Sequence, residues 1–406
     1  MCAISRSPEG THRAPKALAT AQPDLVYICD WLPPDFGAVG QYSLMFATEL
    51  AEQGLHVALV GLSSSGAQRE TKSVGRGHLT IHKLDTQPYS KTRRTERLFW
   101  TLRTNTRLLR AAWPLIATAE TVLFTGSPPM FLHWIAPANV VLRRRLVYRI
   151  TDFHPECAIA ERSHPSLWLW LAYWVTIFWR RRVHEFEVLG QDQAEQLRAI
   201  GIAADRIRLK PDPSPVTITP DTQPLPRPAG LEGKHLLLYS GNWGIAHNVQ
   251  TFLDGYAAHH RHGTGRVVLW LNAVGSGAQI VEETLRRYDL PLHRTQLVPI
   301  DQLGPLLVTP DAHLITLSDA FVGLVVPSKV HGCIASRKPV VYIGSERSDV
   351  HRLCWESGCD YTRVATGDAA GFARTLEHLA DLCEEVPAAT QLRPEDAGPA
   401  GSREQT

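Results

Sequence analysis

Leu25-Val-Tyr-Ile-Cys29, the loop Asp30-Trp-Leu-Pro-Pro-Asp-Phe-Gly-Ala-Val-Gly40, the segment Gln41 to Gln53 and His56-Val-Ala-Leu-Val-Gly61 together decide the fold. The first and last are apolar runs of strand length, the form taken by strands buried on both faces. Between them Leu44, Ala47, Leu50 and Ala51 recur at helical spacing, and Gly54 stands where a helix end favours a residue free to adopt positive φ. Strand, glycine-bearing loop, helix, glycine and strand make a βαβ unit. It predicts a parallel sheet with ligands at the carboxyl ends of its strands.

The alternation continues outward. Thr80–Leu84, Thr121–Thr125 and Arg145–Ile150 read as strands, and Thr92 to Thr118 as an arginine-rich helix. Seven prolines between Lys210 and Gly230 predict an interdomain linker. The pattern then restarts with strand His235–Tyr239, loop Gly241-Asn-Trp-Gly244 and helix Val249–His260. Strands Val267–Leu271, Gln296–Val298, Ala312–Thr316 and Pro339–Ile343 and a helix from Ala369 to Glu385 follow. The expected organisation is a disordered tail (1–22), an N-terminal Rossmann-like domain (23–209), a Pro-rich linker (210–233), a C-terminal Rossmann-like domain (234–386) and a second disordered tail (387–406). The two α/β domains are expected to face each other across a cleft.

Composition narrows the classes. The chain has 406 residues, 44% hydrophobic and 20% charged, which fits two globular domains and excludes collagen-like or coiled-coil chains. A net charge of +2 does not suggest a nucleic-acid partner, but Lys91 to Arg182 holds 15 Lys/Arg against 5 Asp/Glu. Seven scattered cysteines form no CxxC pair, so neither a disulfide framework nor a structural zinc site is expected, and the default compartment is reducing. Met1 to Ala21 has no apolar core of a secretory signal. The longest apolar run, Leu167 to Trp179, falls short of the ~20 residues of a spanning helix.

Asp30 to Gly40, Tyr239-Ser-Gly-Asn-Trp-Gly244, Gly323-Leu-Val-Val-Pro-Ser-Lys329 and Lys338-Pro-Val-Val341 resemble the corresponding blocks of GT-B glycosyltransferases of the family-4 type. Bacterial enzymes that extend lipid-linked sugars for surface polysaccharides are especially similar. The resemblance runs from about Leu25 to Glu385. It implies a nucleotide-sugar donor held mainly by the second domain, an acceptor held mainly by the first, and transfer of a hexosyl unit with retention.

A departing diphosphate needs stabilisation as charge develops on it. With no DxD or His-rich metal cluster in the sequence, no metal and no other cofactor is expected, and amides plus one cation are left to supply it. Gly37 and Gly40 on one side, and Gly241, Asn242 and Gly244 on the other, let backbone N–H groups approach an anion. Gly40 and the second loop are assigned to the donor, and Gly37 to the acceptor. Lys329, after Ser328 and before a short helix from Val330 to Ser336, is the expected cation. In Tyr148-Arg-Ile-Thr-Asp-Phe-His-Pro-Glu156, Asp152 and His154 are the candidate catalytic groups and Glu156 an acceptor contact; Asp152 as a helix cap is the plainer reading.

Departures from the family pattern remain. Ile245-Ala-His-Asn248 offers only His247 as a cation, Asp319 takes the place of the sugar-side glutamate, and Gly332 stands where a ribose-binding glutamate is expected. Asn272 is a candidate neighbour of the base.

Trp168, Trp170, Tyr173, Trp174, Phe178 and Trp179 run directly into Arg180-Arg-Arg182. Aromatics beside an arginine cluster suit the headgroup layer of an anionic membrane, with Trp170, Trp174, Arg180, Arg181 and Arg182 as contacts; packing of the helix against the sheet is the other reading. The sequence therefore predicts a cytoplasmic enzyme peripheral to the inner face of the plasma membrane, with a nucleotide-sugar donor, a lipid-linked saccharide acceptor and a role in surface or exopolysaccharide synthesis. A non-catalytic nucleotide-sugar or lipid-binding partner of a polysaccharide synthase, or a sugar-nucleotide epimerase of the same fold, remain alternatives.

Overall fold

The computed structural model describes residues 22–35, 38–87, 94–214 and 216–382. Gly37 and nearly all of the two expected tails lie outside them. The chain divides into two compact units. Of the described residues, the first holds those from 22 to Pro155 together with Ser166–Val188 and Leu197–Lys210; the second holds Glu156–Pro165, Leu189–Gln196 and those from Pro211 to 382.

In the first unit β1 (Leu25–Trp31), α1 (Ala38–Glu52) and β2 (His56–Ser63) form the expected βαβ unit, followed by β3 (Gln68–Val74), β4 (Gly77–Asp85), α2 (Arg94–Ile116), β5 (Thr121–Thr125), α3 (Leu132–Leu142) and β6 (Arg145–Ile150). α5 (Leu167–Arg180), β7 (Glu185–Val188) and β8 (Ile207–Leu209) complete the first unit; α4 (Glu156–Ala160) and the first part of α6 (Gln191–Ala199), which fall between them in the chain, belong to the second unit. The sheet order is β3-β4-β2-β1-β5-β6-β7-β8, parallel except for β3 against β4. Tyr27, Cys29 and Leu59 pack against Phe46 and Ala47 of α1. Gly40 has a packing reason: a Cβ there would lie 1.7 Å from the Trp31 carbonyl oxygen. Only a bare Cα lets α1 start this close to the end of β1.

The second unit comprises β9 (His235–Asn242), α7 (Gln250–His262), β10 (Val267–Val274), α8 (Ser276–Arg287), β11 (Leu292–Arg294), α9 (Ile300–Val308) and β12 (Ala312–Thr316), then α10 (Lys329–Ala335), β13 (Val340–Ile343), α11 (Asp349–Ser357), β14 (Tyr361–Val364) and α12 (Ala369–Leu382). Its sheet, β11-β10-β9-β12-β13-β14, is wholly parallel. Tyr239 and Trp243 stack with centroids 3.8 Å apart, and Trp243 continues into Phe252 and Tyr256. The strand expected at Gln296–Val298 is instead Leu292–Arg294.

Two boundaries differ from expectation. The Pro-rich stretch is not a free strap, because Val216, Ile218, Leu225 and Leu231 pack on Leu236, Leu238, Trp270 and Leu306. The residues expected as one N-terminal domain also make two excursions into the second unit. In one, Cys157 is buried with its Sγ 4.0 Å from the Leu324 carbonyl. In the other, Asp192 and Asp349, buried at the starts of α6 and α11, cap each other: the Asp192 N–H donates to Asp349 Oδ2 (3.1 Å) and the Asp349 N–H to Asp192 Oδ2 (3.2 Å). The Gly323 and Gln193 amides also donate to Asp192, and Arg352 Nε to Asp349.

Burial and the neighbouring Asp349 carboxyl raise the Asp192 pKa to about 7. An acid whose folded pKa lies above its unfolded value destabilises the fold once it must ionise, so the Asp192 carboxyl's contribution to stability falls as pH rises from about 4 to about 7. Asp192→Asn is expected to melt roughly 4–8 °C higher than the parent at pH 8, from about 2 kcal/mol, and no higher at pH 4. Equal shifts at both pH values in a thermal melt would contradict the raised Asp192 pKa.

Candidate functional site

The strand order of the second sheet changes direction between β9 and β12, and the carboxyl ends there are where a doubly wound sheet opens to a ligand. Three expected donor residues end β9 or follow it. Gly241 has φ +102° with open space where a Cβ would stand, so its conformation, not crowding, requires glycine. Asn242 is exposed and its carbonyl accepts from the Tyr239 hydroxyl (3.3 Å). Gly244 meets only the Asn242 side chain at 3.4 Å or more, so neither φ nor close backbone demands a glycine there.

Lys329 is the first residue of the seven-residue α10, so the helix begins at it rather than after it; Ser328 precedes it, half-buried and without a side-chain cap. The ammonium of Lys329 lies 3.3 Å from the centroid of the Tyr239 ring, is buried, and has no hydrogen-bond partner. The ring face attracts a cation but does not replace the water an ammonium loses. Burial therefore lowers the Lys329 pKa to about 7, with the Cys333 thiol opposing.

His247 is corrected as a second cation. Burial, then the Lys329 charge, lower its pKa to about 3, and its Nδ1 is paired with the Thr316 carbonyl, so the ring is neutral. Asn272, expected near a base, is buried and engaged with Thr295 (2.9 Å), Ser240 (3.3 Å) and the Gln296 carbonyl. Asp319 opens a short 3-10 turn after β12, exposed and accepting from the Thr366 hydroxyl at 2.9 Å. Gly332 is buried, and a Cβ there would meet Leu307 Cδ1 at 2.9 Å, so α10 packs on α9 where a glutamate was expected.

In the first unit Asp152 and His154 follow β6 and are half-buried, and the His154 carbonyl accepts from Arg180 Nη2 (3.0 Å). Glu156 is corrected as an N-terminal-domain residue: it begins α4, which the burial of Cys157 holds in the second unit. Arg180 is corrected as a membrane contact. It is 0% exposed, with its guanidinium over the Phe153 ring (4.9 Å), and acts as a strut between α5 and the residues after β6. Arg181 and Arg182 are exposed; Arg181 donates to the Ile200 carbonyl, and Arg182 covers Phe178 at 3.5 Å.

The aromatics of α5 divide: Tyr173 and Trp179 are half-buried, whereas Phe178 and three tryptophans are exposed. Trp168 is 79% and Trp174 62% exposed, with Trp170 exposed beside them. Trp134 Nε1 of α3 donates to Thr106 of α2 (3.1 Å), and His133 of α3 pairs with Thr176 of α5 (3.1 Å). The three helices thus form one layer, on which Phe99 of α2 and Val141 of α3 are 71% and 76% exposed. No helix among the described residues is long and apolar enough to cross a membrane.

Two parallel-sheet Rossmann-like units in this order are the GT-B fold of glycosyltransferases. No family model and no curated protein matches the chain. Among solved structures it is similar to WaaG, a glycosyltransferase involved in lipopolysaccharide biosynthesis, with a TM-score of 0.57 and 14% identity over 88% of this chain and 90% of that one. It is also similar to Anabaena HepE in complex with UDP and glucose, with a TM-score of 0.59 and 11% identity over 89% and 91%. A third is an E. coli structure described as trehalose-6-phosphate bound with UDP-2-fluoro glucose, with a TM-score of 0.59 and 12% identity over 87% and 90%. At identities of 11–14% these likenesses show the fold alone.

Proposed function

We propose that the chain is a glycosyltransferase that moves a hexosyl unit from a UDP- or GDP-linked sugar to a lipid-linked or polysaccharide acceptor, with retention, in surface or exopolysaccharide synthesis. The observation that carries this reading is the buried Lys329 ammonium, without a hydrogen-bond partner and lying over the Tyr239 ring of β9, the strand that ends in the left-handed Gly241 followed by Asn242. A cation held without a counter-charge is unfavourable in the empty protein and favourable once an anion arrives, which suits a nucleoside diphosphate. The UDP complex of HepE and the lipopolysaccharide role of WaaG, proteins of the same fold, support the donor and the product class. Asp319 and Ser328 are the further donor contacts in this reading, and Asp152 and His154 the groups that meet the acceptor. No cofactor enters it.

The exposed aromatic and arginine-bearing layer of α2, α3 and α5 supports an anionic membrane surface as the working place, on the cytoplasmic side, where lipid-linked acceptors are met. One specific feature favours the non-catalytic alternative: Gly332 puts no carboxylate where a ribose would be gripped.

A thermal-shift series with UDP, UDP-glucose, GDP and GDP-mannose tests the reading. A ligand at 100 times its Kd is expected to stabilise the protein by about 2.7 kcal/mol, and UDP release from the matching sugar nucleotide separates enzyme from binding partner. Absence of a shift with all four ends the proposal.

A further inference from the structure

The first sheet also changes direction, between β1 and β5, and the residues at that point hold a second buried group that the fold leaves unsatisfied. Asp30 is the penultimate residue of β1, and Ser127 lies two residues past β5. The Ser127 hydroxyl donates to Asp30 Oδ2 at 2.5 Å. Asp30 Oδ1 is buried and has no hydrogen-bond partner. Ser127 is itself held in place: the Thr125 hydroxyl donates to the Ser127 carbonyl (2.6 Å), and the Ser127 N–H returns to that hydroxyl (3.4 Å). Gly126 between them sits beside Asp152, a Cβ there being 3.5 Å from the Asp152 carbonyl oxygen and 3.3 Å from the Tyr148 hydroxyl.

We propose that Asp30, positioned by Ser127, is a hydroxyl-binding subsite for the saccharide acceptor, with Asp30 Oδ1 accepting a hydrogen bond from a sugar hydroxyl; the acceptor's identity rests on the glycosyltransferase reading above. A buried carboxylate oxygen without a donor costs free energy that the fold does not recover. A ligand that brings an O–H removes that cost, whereas a phosphate or carboxylate adds repulsion, so the class selected is a neutral polyol. Gly126 and Ser127 are both half-exposed, which leaves an approach from solvent. Burial raises the Asp30 pKa above the usual carboxylate range, against the Ser127 hydroxyl and the backbone N–H groups of Asp30 and Trp31.

The test compares the full-length parent with Asp30→Asn and Ser127→Ala, using UDP-glucose as donor and the octyl glycosides of glucose, galactose, mannose and N-acetylglucosamine as acceptor probes. Asp30→Asn is expected to raise the KM of the best octyl glycoside at least tenfold and Ser127→Ala several-fold. Acceptor-free hydrolysis of UDP-glucose should stay within twofold in both. The melting temperature of Asp30→Asn should equal or exceed the parent's, since a group kept for a ligand is not kept for the fold. An unchanged acceptor KM, a parallel loss of hydrolysis, or melting several degrees lower in both variants overturns the subsite. A parent that turns over no nucleotide sugar refutes the glycosyltransferase reading separately. Saturation-transfer NMR with the same octyl glycosides then decides: signal lost in Asp30→Asn supports the subsite, while equal signals, or none with the parent, overturn it.

Discussion

Replacing Lys329 by methionine is expected to lower kcat/KM for transfer from UDP-glucose by on the order of 10²–10³, the cost of removing one preorganised charge from a developing anion. The same variant should melt higher than the parent when no ligand is present. Those two results together distinguish a ligand-binding ammonium from one retained for structure, because methionine fills the space over the Tyr239 ring without burying a charge. The pH dependence follows from the Lys329 pKa of about 7. A lysine whose folded value lies below its unfolded one carries no penalty above the unfolded pKa near 10.4 and the full penalty below the folded one. The parent should therefore lose stability relative to the methionine variant as pH falls from about 10 to about 7. UDP binding should show the reverse trend. Above pH 7 the ammonium must first regain its proton, so the UDP Kd should weaken by up to tenfold per pH unit in the parent and far less in Lys329→Met. Isothermal titration at pH 7 and 9 reads this directly, and a loss of activity below threefold would remove Lys329 from the donor site.

The second large effect concerns the exposed layer on the first unit. Trp168→Ser with Trp174→Ser is expected to weaken partitioning onto phosphatidylglycerol vesicles by on the order of 10², from about 1.5 kcal/mol for each ring that lipid would otherwise cover. The melting temperature should not change, since these rings stand in solvent. Arg182→Gln should remove about 1 kcal/mol more on anionic vesicles and nothing on phosphatidylcholine. Arg180→Ala should behave differently, unfolding several degrees earlier, because that guanidinium is wholly buried between Phe153 and the His154 carbonyl. Co-sedimentation that survives loss of both tryptophans would assign the layer to another partner.

The elements legible from the chain are those whose apolar pattern is local. Leu25–Cys29, His56–Gly61, His235–Tyr239 and Val267–Leu271 are uninterrupted runs, and each lies within a central strand. The strand Gln68–Val74 escaped notice because it is a polar, exposed edge strand, defined only by its pairing with β4. Glu185–Val188 escaped it for the opposite reason. Its two glutamates look like surface residues until Arg145 and Arg149 meet them across the sheet at 2.6 and 3.0 Å.

The candidate site divides the same way. Gly241 and Lys329 stand out from their neighbours in the chain, and the structure lays the Lys329 ammonium over the Tyr239 ring of β9, the strand that holds Gly241. Asp30 and Ser127 are 97 positions apart and Asp192 and Asp349 are 157 apart, and neither pair has a local pattern to mark it.

From its sequence alone this protein is two successive parallel α/β units with glycine turns at the heads of both and a basic, aromatic helix in the first, because hydrophobic period and turn chemistry act over a few residues. Only the tertiary structure decided which charges are paired. It buried Lys329 on Tyr239 and Arg180 on Phe153, left Trp168 and Trp174 in solvent, and made His247 neutral, since desolvation depends on what the rest of the chain packs around a group.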